Sequence, residues 1–181
     1  MQSLMSNREF LSVVQEFMAL QAVTVSTVRG LRKRGKALKN IREYLERLPL
    51  ERLVRRDGQD YARWLDVHTR RIQKKLGGRK DQWGVARKAM NLFMRQCLYN
   101  TYLSRKFRLA RFQKQMEIPL DNRVARKLRA DAGKKNKKLK WKNLKALDRK
   151  TSQEFQEHAK DMAARDHLPA RVFLDHYLWR K

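Results

Sequence analysis

The sequence Trp-Gly-Val-Ala-Arg-Lys-Ala-Met-Asn occupies residues 83–91 and follows Gly77-Gly78 after a short turn. Upstream of the glycines, apolar side chains recur at helical spacing through about Leu76, and the paired glycines end that pattern. A new helix is predicted to start near Val85. This stretch therefore predicts two helices joined by a tight connection, which is typical of an all-α fold.

The remainder of the chain has the same helical character. Its 181 residues include seven glycines and three prolines, and long runs are rich in strong helix formers. We therefore predict one all-α domain over residues 1–181. The predicted helices cover approximately residues 8–23, 26–48, 59–76, 85–102, 121–128, 152–165 and 169–179, and the second is expected to break or bend near Gly30 and Gly35. The first of them is expected to group its apolar side chains on one face, namely Phe10, Val13, Val14, Phe17 and Met18.

The charge of the chain points to a polyanionic partner. There are 45 Lys and Arg residues against 18 Asp and Glu residues, for a net charge of +27. Residues 29–150 carry 39 basic and 11 acidic residues, or +28, whereas the two ends nearly balance. Nucleic acid is the simplest partner for such a surface, and an anionic membrane surface is the competing one.

Several classes of protein are excluded by what the sequence lacks. No run of 18 apolar residues predicts a transmembrane helix, and the N-terminus has no signal-peptide pattern, so we expect a cytoplasmic protein that associates with the nucleoid when bound to DNA. The single cysteine, Cys97, forms no internal disulfide and supports no cysteine-built metal or iron–sulfur site. We expect neither a metal ion nor another cofactor.

Lys88 is the first candidate for chemistry, because it lies in the first turn of the helix predicted from Val85. The neighbouring Arg87 and the helix dipole both disfavour its ammonium form, which would lower its pKa and favour an amine nucleophile. A plain phosphate contact is the alternative, since Gly84 would allow a phosphate to approach the backbone.

Asp121 is the second candidate. It lies in the segment Ile-Pro-Leu-Asp-Asn-Arg-Val at residues 118–124 and coincides with the predicted start of a helix. N-capping is the commonest role of such an aspartate, so spacing alone favours capping over catalysis.

Residues 84–91 resemble the hairpin of the helix–hairpin–helix DNA glycosylases, the endonuclease III superfamily. The 33-residue gap between Lys88 and Asp121 and the segment at residues 171–179 are similar to the archaeal 8-oxoguanine glycosylase branch. The resemblance implies a helix–hairpin–helix region over 77–97, a catalytic lysine at Lys88 and, within 117–129, a catalytic aspartate at Asp121. The chain departs from the family pattern at Trp83 and Ala86, and it lacks the iron–sulfur cysteines of endonuclease III.

The resemblance also implies that Asp175 and Trp179 contact the damaged base from C-terminal helices that pack on the core over 151–181. The aromatic rings of Trp83 and Phe93 are further candidates for the base pocket. A basic loop or arm is predicted over 133–150. The predicted contacts to the DNA backbone are Gly84, Ala86, Arg87, Arg123, Lys134, Lys135, Lys137 and Lys138.

Three functions follow as hypotheses. The first is a monomeric DNA glycosylase that flips out and excises a damaged or modified base from double-stranded DNA, in repair or in defence against modified foreign DNA. A Schiff-base lyase route through Lys88 and a hydrolytic route through Asp121 both stay open. The second is a non-catalytic nucleic-acid-binding protein that uses the hairpin as a phosphate clamp. The third, a basic protein of the membrane surface, is disfavoured because no helix pairs a lipophilic face with a basic face.

Overall fold

The computed structural model describes residues 6–54, 61–136 and 138–180, without the side chains of Val54 and Arg180. Within these residues the structure contains helices and no strand, which confirms the predicted all-α class. No helix in this part of the chain is both long and apolar enough to span a bilayer. The α-helices are α1 (Asn7–Ala22), α2 (Arg34–Glu46), α3 (Glu51–Val54), α4 (Tyr61–Lys75), α5 (Trp83–Tyr99), α6 (Thr101–Lys106), α7 (Asn122–Gly133), α8 (Arg149–Arg165) and α9 (Leu174–Arg180).

Local sequence signals explain where several helices begin and end. The Ser6 hydroxyl accepts a hydrogen bond from the N–H of Glu9 at 3.2 Å, and the Glu9 carboxylate accepts one from the N–H of Ser6 at 2.8 Å. This capping box starts α1 one residue before the predicted helix. After α4, Gly77 has a φ of 117° and the N–H of Gly78 donates to the carbonyl of Gln73, which ends the helix as the two glycines predicted.

Other predicted boundaries were wrong. Residues 26–33 form turns that include Gly30 at a φ of 92°, which confirms the break predicted near Gly30. α2 therefore begins at Arg34 instead of near residue 26, and it continues through Gly35. The last helix begins at Leu174, because a 3-10 turn at Arg171–Phe173 precedes it. A further 3-10 turn, Lys80–Gln82, leads into α5, which starts at Trp83. The predicted start of the third helix, residue 59, lies outside the described residues.

The apolar face predicted for α1 is confirmed at Met18, which is buried, and at Val14, which packs against the core, but it is wrong at three other positions. Phe10, Val13 and Phe17 are exposed, and α1 buries Met18 together with small alanines. The polar Gln15 is buried because its amide donates to the carbonyls of Leu45 and Leu48 at the end of α2, both at 2.9 Å. Small alanines together with Met18, Leu11 and Val14 thus hold α1 against the core.

The core consists of two hydrophobic clusters. The first is built mainly by α1, α2, α4, α5 and α6 around side chains such as Phe93 and Ile41, and the second by α7, α8 and α9 around Phe155 and Leu128. Leu144 packs against both clusters. A cleft lies between the two groups of helices, and Lys88 reaches it from α5.

The basic segment between α7 and α8 is not a free arm. Leu139 and Leu147 are buried in the second cluster, and the ring of Trp141 packs edge-to-face on Phe155 at a centroid distance of 5.5 Å. Its described lysines are exposed, while these apolar side chains fix the backbone. The basic loop or arm predicted over 133–150 is therefore a loop anchored by its own apolar residues and not a free arm.

Candidate active site

Lys88 and Asp121, which are 33 residues apart in the chain, meet in the cleft. The Nζ of Lys88 lies 3.4 Å from Oδ2 of Asp121, and the lysine side chain is only 8% exposed. Lys88 extends from the second turn of α5, whereas Asp121 directly precedes α7. The fold thus brings together the two residues that the sequence marked as candidates for chemistry.

The two carboxylate oxygens of Asp121 have different partners. Oδ1 accepts hydrogen bonds from the N–H groups of Arg123 and Val124, at 2.9 and 3.0 Å, and so caps α7. Oδ2 accepts from Lys88 Nζ and from the indole N–H of Trp179, each at 3.4 Å. Capping and a place in the cleft, which the sequence presented as alternatives, are therefore combined in one side chain.

The surroundings of this pair lower the pKa of both side chains. Burial lowers the pKa of Lys88, and the positive charge of Arg29 lowers it further. The carboxylate of Asp121 raises it in part, so that the pKa of Lys88 stays below its ordinary value. Burial alone would raise the pKa of Asp121, but the N–H of Val124, Lys88 and Trp179 together lower it. A lysine with a lowered pKa has a larger fraction of free amine at neutral pH.

Asp121 is held in place by the segment that precedes it. The side-chain amide of Gln156 on α8 accepts from the N–H of Ile118 and donates to its carbonyl, each at 2.9 Å. One residue earlier, Glu117 accepts from Asn91 of α5 at 2.9 Å. The segment leading to Asp121 is thereby fixed to both α5 and α8, which sets the separation of Lys88 and Asp121.

Two cavities adjoin the pair. One, of about 300 Å³, extends toward α9 and the end of α1, and the other, of about 560 Å³, opens past Arg29 and Lys145. Lys88, Asp121 and Trp179 line both cavities. The smaller volume is at the lower end of the range typical of small-molecule pockets, roughly 300–1,000 Å³.

The smaller cavity, here called the inner pocket, contains two of the predicted base-contacting residues. Asp175 is buried and forms an ion pair with Arg95 of α5, and both line the pocket. The Nε of Arg95 is buried and has no hydrogen-bond partner among the described residues. Trp179 is 51% exposed at the rim, where the guanidinium of Arg123 lies 5.1 Å from its ring centroid. The pocket thus combines an aromatic rim with buried polar groups.

Arg87 is not a DNA contact in this structure. Its guanidinium donates to Glu117 at 2.7 and 2.8 Å and to Asp66 at 2.9 Å, and the side chain is 7% exposed. Asp66 pairs in turn with Arg149 at 2.6 Å. Burial alone would lower the pKa of Arg87, yet Glu117 and Asp66 raise it above its ordinary value. The predicted phosphate contact is corrected to an internal ion-pair network that ties α4, α5 and the segment before α7.

The predicted phosphate contacts at Gly84 and Ala86 are corrected as well. A Cβ placed on Gly84 would lie 2.1 Å from the carbonyl oxygen of Leu144, so this glycine is required for the close approach of the α7–α8 connection. Ala86 is fully buried in the first cluster. The space beside this first turn is occupied by the protein itself, which leaves no access for a phosphate at Gly84.

The remaining predictions divide by location. Phe93 is fully buried in the first cluster and Trp83 packs against the second, so neither lines the inner pocket, which corrects both. Arg123 lines the larger cavity. Lys134, Lys135 and Lys138 are exposed but line neither cavity beside Lys88. Lys137 lies outside the described residues.

Sequence reasoning missed the contribution of the turn after α1. Ser26 and Thr27 line the inner pocket, and the Thr27 hydroxyl donates to the carbonyl of Ala22 at 3.2 Å. Arg95 was missed too. For the turn, the available signal was the hydroxyl-rich sequence Thr24-Val25-Ser26-Thr27 directly after an apolar helix. Such a sequence is equally typical of an ordinary turn.

The arrangement can supply a nucleophilic amine, an adjacent carboxylate and a pocket beside them. Among the described residues no group of three or more His, Cys, Asp or Glu side chains is placed to hold a metal ion. No protein-family model matches the chain, and no curated protein or solved structure matches it either.

Proposed function

We propose that the protein is a DNA glycosylase that extrudes a damaged or modified nucleotide and uses Lys88 as the nucleophile and Asp121 as its partner. The observation that carries the proposal is the buried Lys88–Asp121 pair, whose lysine pKa is lowered by burial, on the wall of the inner pocket. Perturbed titratable groups that converge on a cavity are typical of active sites. The charge of +27 supplies the affinity for DNA.

The proposed chemistry uses Lys88 as a free amine and Asp121 as a carboxylate. The neutral amine of Lys88 attacks C1′ of the extruded nucleotide while the N-glycosidic bond breaks, and its electron pair leaves with the base, which takes up a proton. The attacking nitrogen then loses a proton, and the ionised Asp121 is close enough to accept it. Its negative charge also stabilises the positive charge that develops on the sugar. Opening of the sugar ring yields a Schiff base between Lys88 and C1′.

The Schiff base has two outcomes. Water attacks it and releases Lys88 and an abasic site, or removal of a proton from C2′ expels the 3′ phosphate and cleaves the strand by β-elimination. In both outcomes hydrolysis of the imine regenerates the lysine. The described residues supply Asp121 as the nearest carboxylate for either proton transfer.

The inner pocket gives the extruded base its surroundings. Trp179 offers an aromatic face at the rim, and Asp175 with Arg95 offers an acceptor and a donor inside. Because the Nε of Arg95 has no partner among the described residues, a base carbonyl placed there would satisfy a buried donor. Specificity for the base is thus proposed to depend on this ion pair.

The phosphate-clamp function has less support. A clamp built on the hairpin requires free backbone N–H groups and an accessible glycine at the start of α5, but Leu144 covers Gly84. Side chains elsewhere on the surface remain free to bind phosphates. The glycosylase proposal therefore accounts for more of the cleft than the clamp does.

The proposal is tested by incubating the protein with duplexes that each contain one modified base, with and without borohydride. Release of a free base by the wild type, and its loss in Lys88→Gln, is the expected result. Lys160→Gln is the matched control, because Lys160 is exposed on α8 and lines neither cavity. Base release that is equal in the wild type and Lys88→Gln would contradict the proposal.

A further inference from the structure

A third depression on the surface lies between the start of α2 and the end of α4, and we call it the α2–α4 groove. Its volume is about 870 Å³, larger than either cavity beside Lys88. Six exposed cationic side chains from the two sides of the groove line it. They are Arg32, Lys33 and Lys36 near the start of α2, and Lys74, Lys75 and Arg79 at and after the end of α4.

Almost all of this charge is left uncompensated. The single carboxylate that lines the groove, Asp81, is bound by Arg79 through two hydrogen bonds of 3.0 and 3.1 Å. None of the other five cations forms an ion pair with a carboxylate among the described residues. Arg87, in contrast, has two carboxylates of its own. The groove therefore concentrates positive charge that only an external anion can neutralise.

Lys145 connects the groove to the cleft. It lines the α2–α4 groove and also the larger cavity beside Lys88 and Asp121. Its side chain crosses Gly30, where a Cβ would lie 3.1 Å from the lysine Cε. Gly30 has a φ of 92°, a backbone conformation that favours glycine, so the turn itself accounts for the glycine. A linear polyanion that extends from the cleft past Lys145 would therefore continue into the α2–α4 groove.

From this continuity we propose that the α2–α4 groove binds the phosphate backbone of the DNA duplex on one side of the cleft. The choice of DNA as the polyanion rests on the proposed function, while the groove as an anion site rests on its own charges. Backbone N–H groups play little part, since the N–H of Gly77 and that of Gly78 already donate to the carbonyls of Lys74 and Gln73. The lysine and arginine side chains make the contacts, and they hold DNA independently of its sequence.

The test compares two triple variants that remove the same charge. The groove variant combines Lys33→Gln, Lys36→Gln and Lys74→Gln, which remove three of the positive charges that line the groove. The control variant combines Lys106→Gln, Lys114→Gln and Lys160→Gln, which remove three exposed lysines that line neither the groove nor the cleft. Binding of an undamaged duplex is measured from 50 to 200 mM salt. We expect the groove variant to bind more than about tenfold more weakly at 100 mM, with a salt slope shallower by about 0.9 for each lost phosphate contact.

The control triple is expected to keep the wild-type slope within about one unit. Equal slopes and affinities for the two triples would overturn the proposal, as would a groove variant that loses binding to anionic phosphatidylserine vesicles but retains binding to DNA. The affinity and the salt slope are both measured on undamaged DNA, so neither depends on whether Lys88 is catalytic. If no base is released while the groove variant loses DNA binding, the groove is supported and the proposed function is contradicted. If base release depends on Lys88 while the groove variant binds DNA like the control triple, the proposed function is supported and the groove is contradicted.

Discussion

Arg87 and Lys88 are adjacent in α5, both are buried, and they illustrate two uses of a buried cation. Arg87 has Glu117 and Asp66 within hydrogen-bond distance, and these carboxylates raise its pKa despite burial. Lys88 has the single carboxylate of Asp121 at 3.4 Å, and burial prevails to lower its pKa. The charge of Arg87, which two carboxylates compensate, stabilises the fold. Lys88, which has one carboxylate partner, borders a cavity and is available for chemistry.

The largest expected effect concerns Arg87 and its carboxylate partners. Glu117→Ala leaves Arg87 with only part of its compensation, and arginine cannot lose its proton to relieve the cost. We expect the free energy of unfolding to fall by about 3 kcal/mol, as is typical of a broken buried ion pair. Denaturant titration measures this change as a lower midpoint at constant slope.

Asp81→Asn is the control for that experiment. It breaks the more exposed pair with Arg79, and we expect it to change stability by less than about 1 kcal/mol. If Glu117→Ala is as stable as Asp81→Asn, the Arg87 network is not what secures the segment before Asp121.

The next effect concerns Lys88 and its carboxylate partner. Asp121→Asn removes the carboxylate from Lys88 but retains an N-cap, since asparagine caps helices as well as aspartate does. We expect the rate of base release or of Schiff-base formation to fall by about 100-fold, the lower end of the range for general acid–base catalysis. Single-turnover kinetics with excess protein measures the rate.

Asp148→Asn is the matched control, because Asp148 caps α8 through the N–H of Thr151 at 2.7 Å and does not line the cleft. Its rate is expected to equal that of the wild type. Equal losses in both variants would mean that Asp121 acts only as a cap.

A third effect is a shift of the pH profile. Because the neutral amine reacts, the rate should rise with pH to a midpoint below the ordinary lysine pKa of 10.5. Asp121→Asn removes the anion that raises the pKa of Lys88, so its midpoint should move to lower pH. Arg29→Gln removes a cation that lowers this pKa, so its midpoint should move to higher pH. Shifts in the same direction in both variants would show that Lys88 is not the titrating group.

The smallest effect is expected at Trp179. Trp179→Phe retains an aromatic ring but removes the N–H that donates to Asp121 at 3.4 Å, a long hydrogen bond. We expect the rate to fall by about two- to fivefold, which corresponds to less than about 1 kcal/mol. Trp141→Phe is the control, since its indole N–H donates to Asn122 instead. A loss as large as that of Asp121→Asn would indicate that Trp179 does more than orient the carboxylate.

Much of the helical fold was predictable because its signals are local. The cap at Asp121, the paired glycines and the apolar spacing of α4 act within a few residues, and the structure confirms them. Packing is not local. Nothing around Phe17 indicated that α1 would bury alanines and expose Phe10, Val13 and Phe17, because that choice depends on the surfaces of α2 and α5.

The site shows the same division. Lys88 and Asp121 were recognised from their local motifs, and the fold brings them together. Arg87 was misjudged because its partners, Glu117 and Asp66, lie 30 and 21 residues away. Gly84 was misjudged because the group that approaches it is the backbone of Leu144, not a ligand. In both cases a contact with a distant part of the chain took the place that a phosphate was expected to fill.

The central claim, that Lys88 is a nucleophile toward C1′, is tested most directly on a duplex with a preformed abasic site, which does not require the base to be known. Cyanoborohydride reduces any Schiff base, and peptide mass spectrometry locates the modified lysine. The account predicts modification concentrated on Lys88, lost in Lys88→Gln and retained in Lys160→Gln. Modification spread over the exposed lysines, and unchanged in Lys88→Gln, would contradict it.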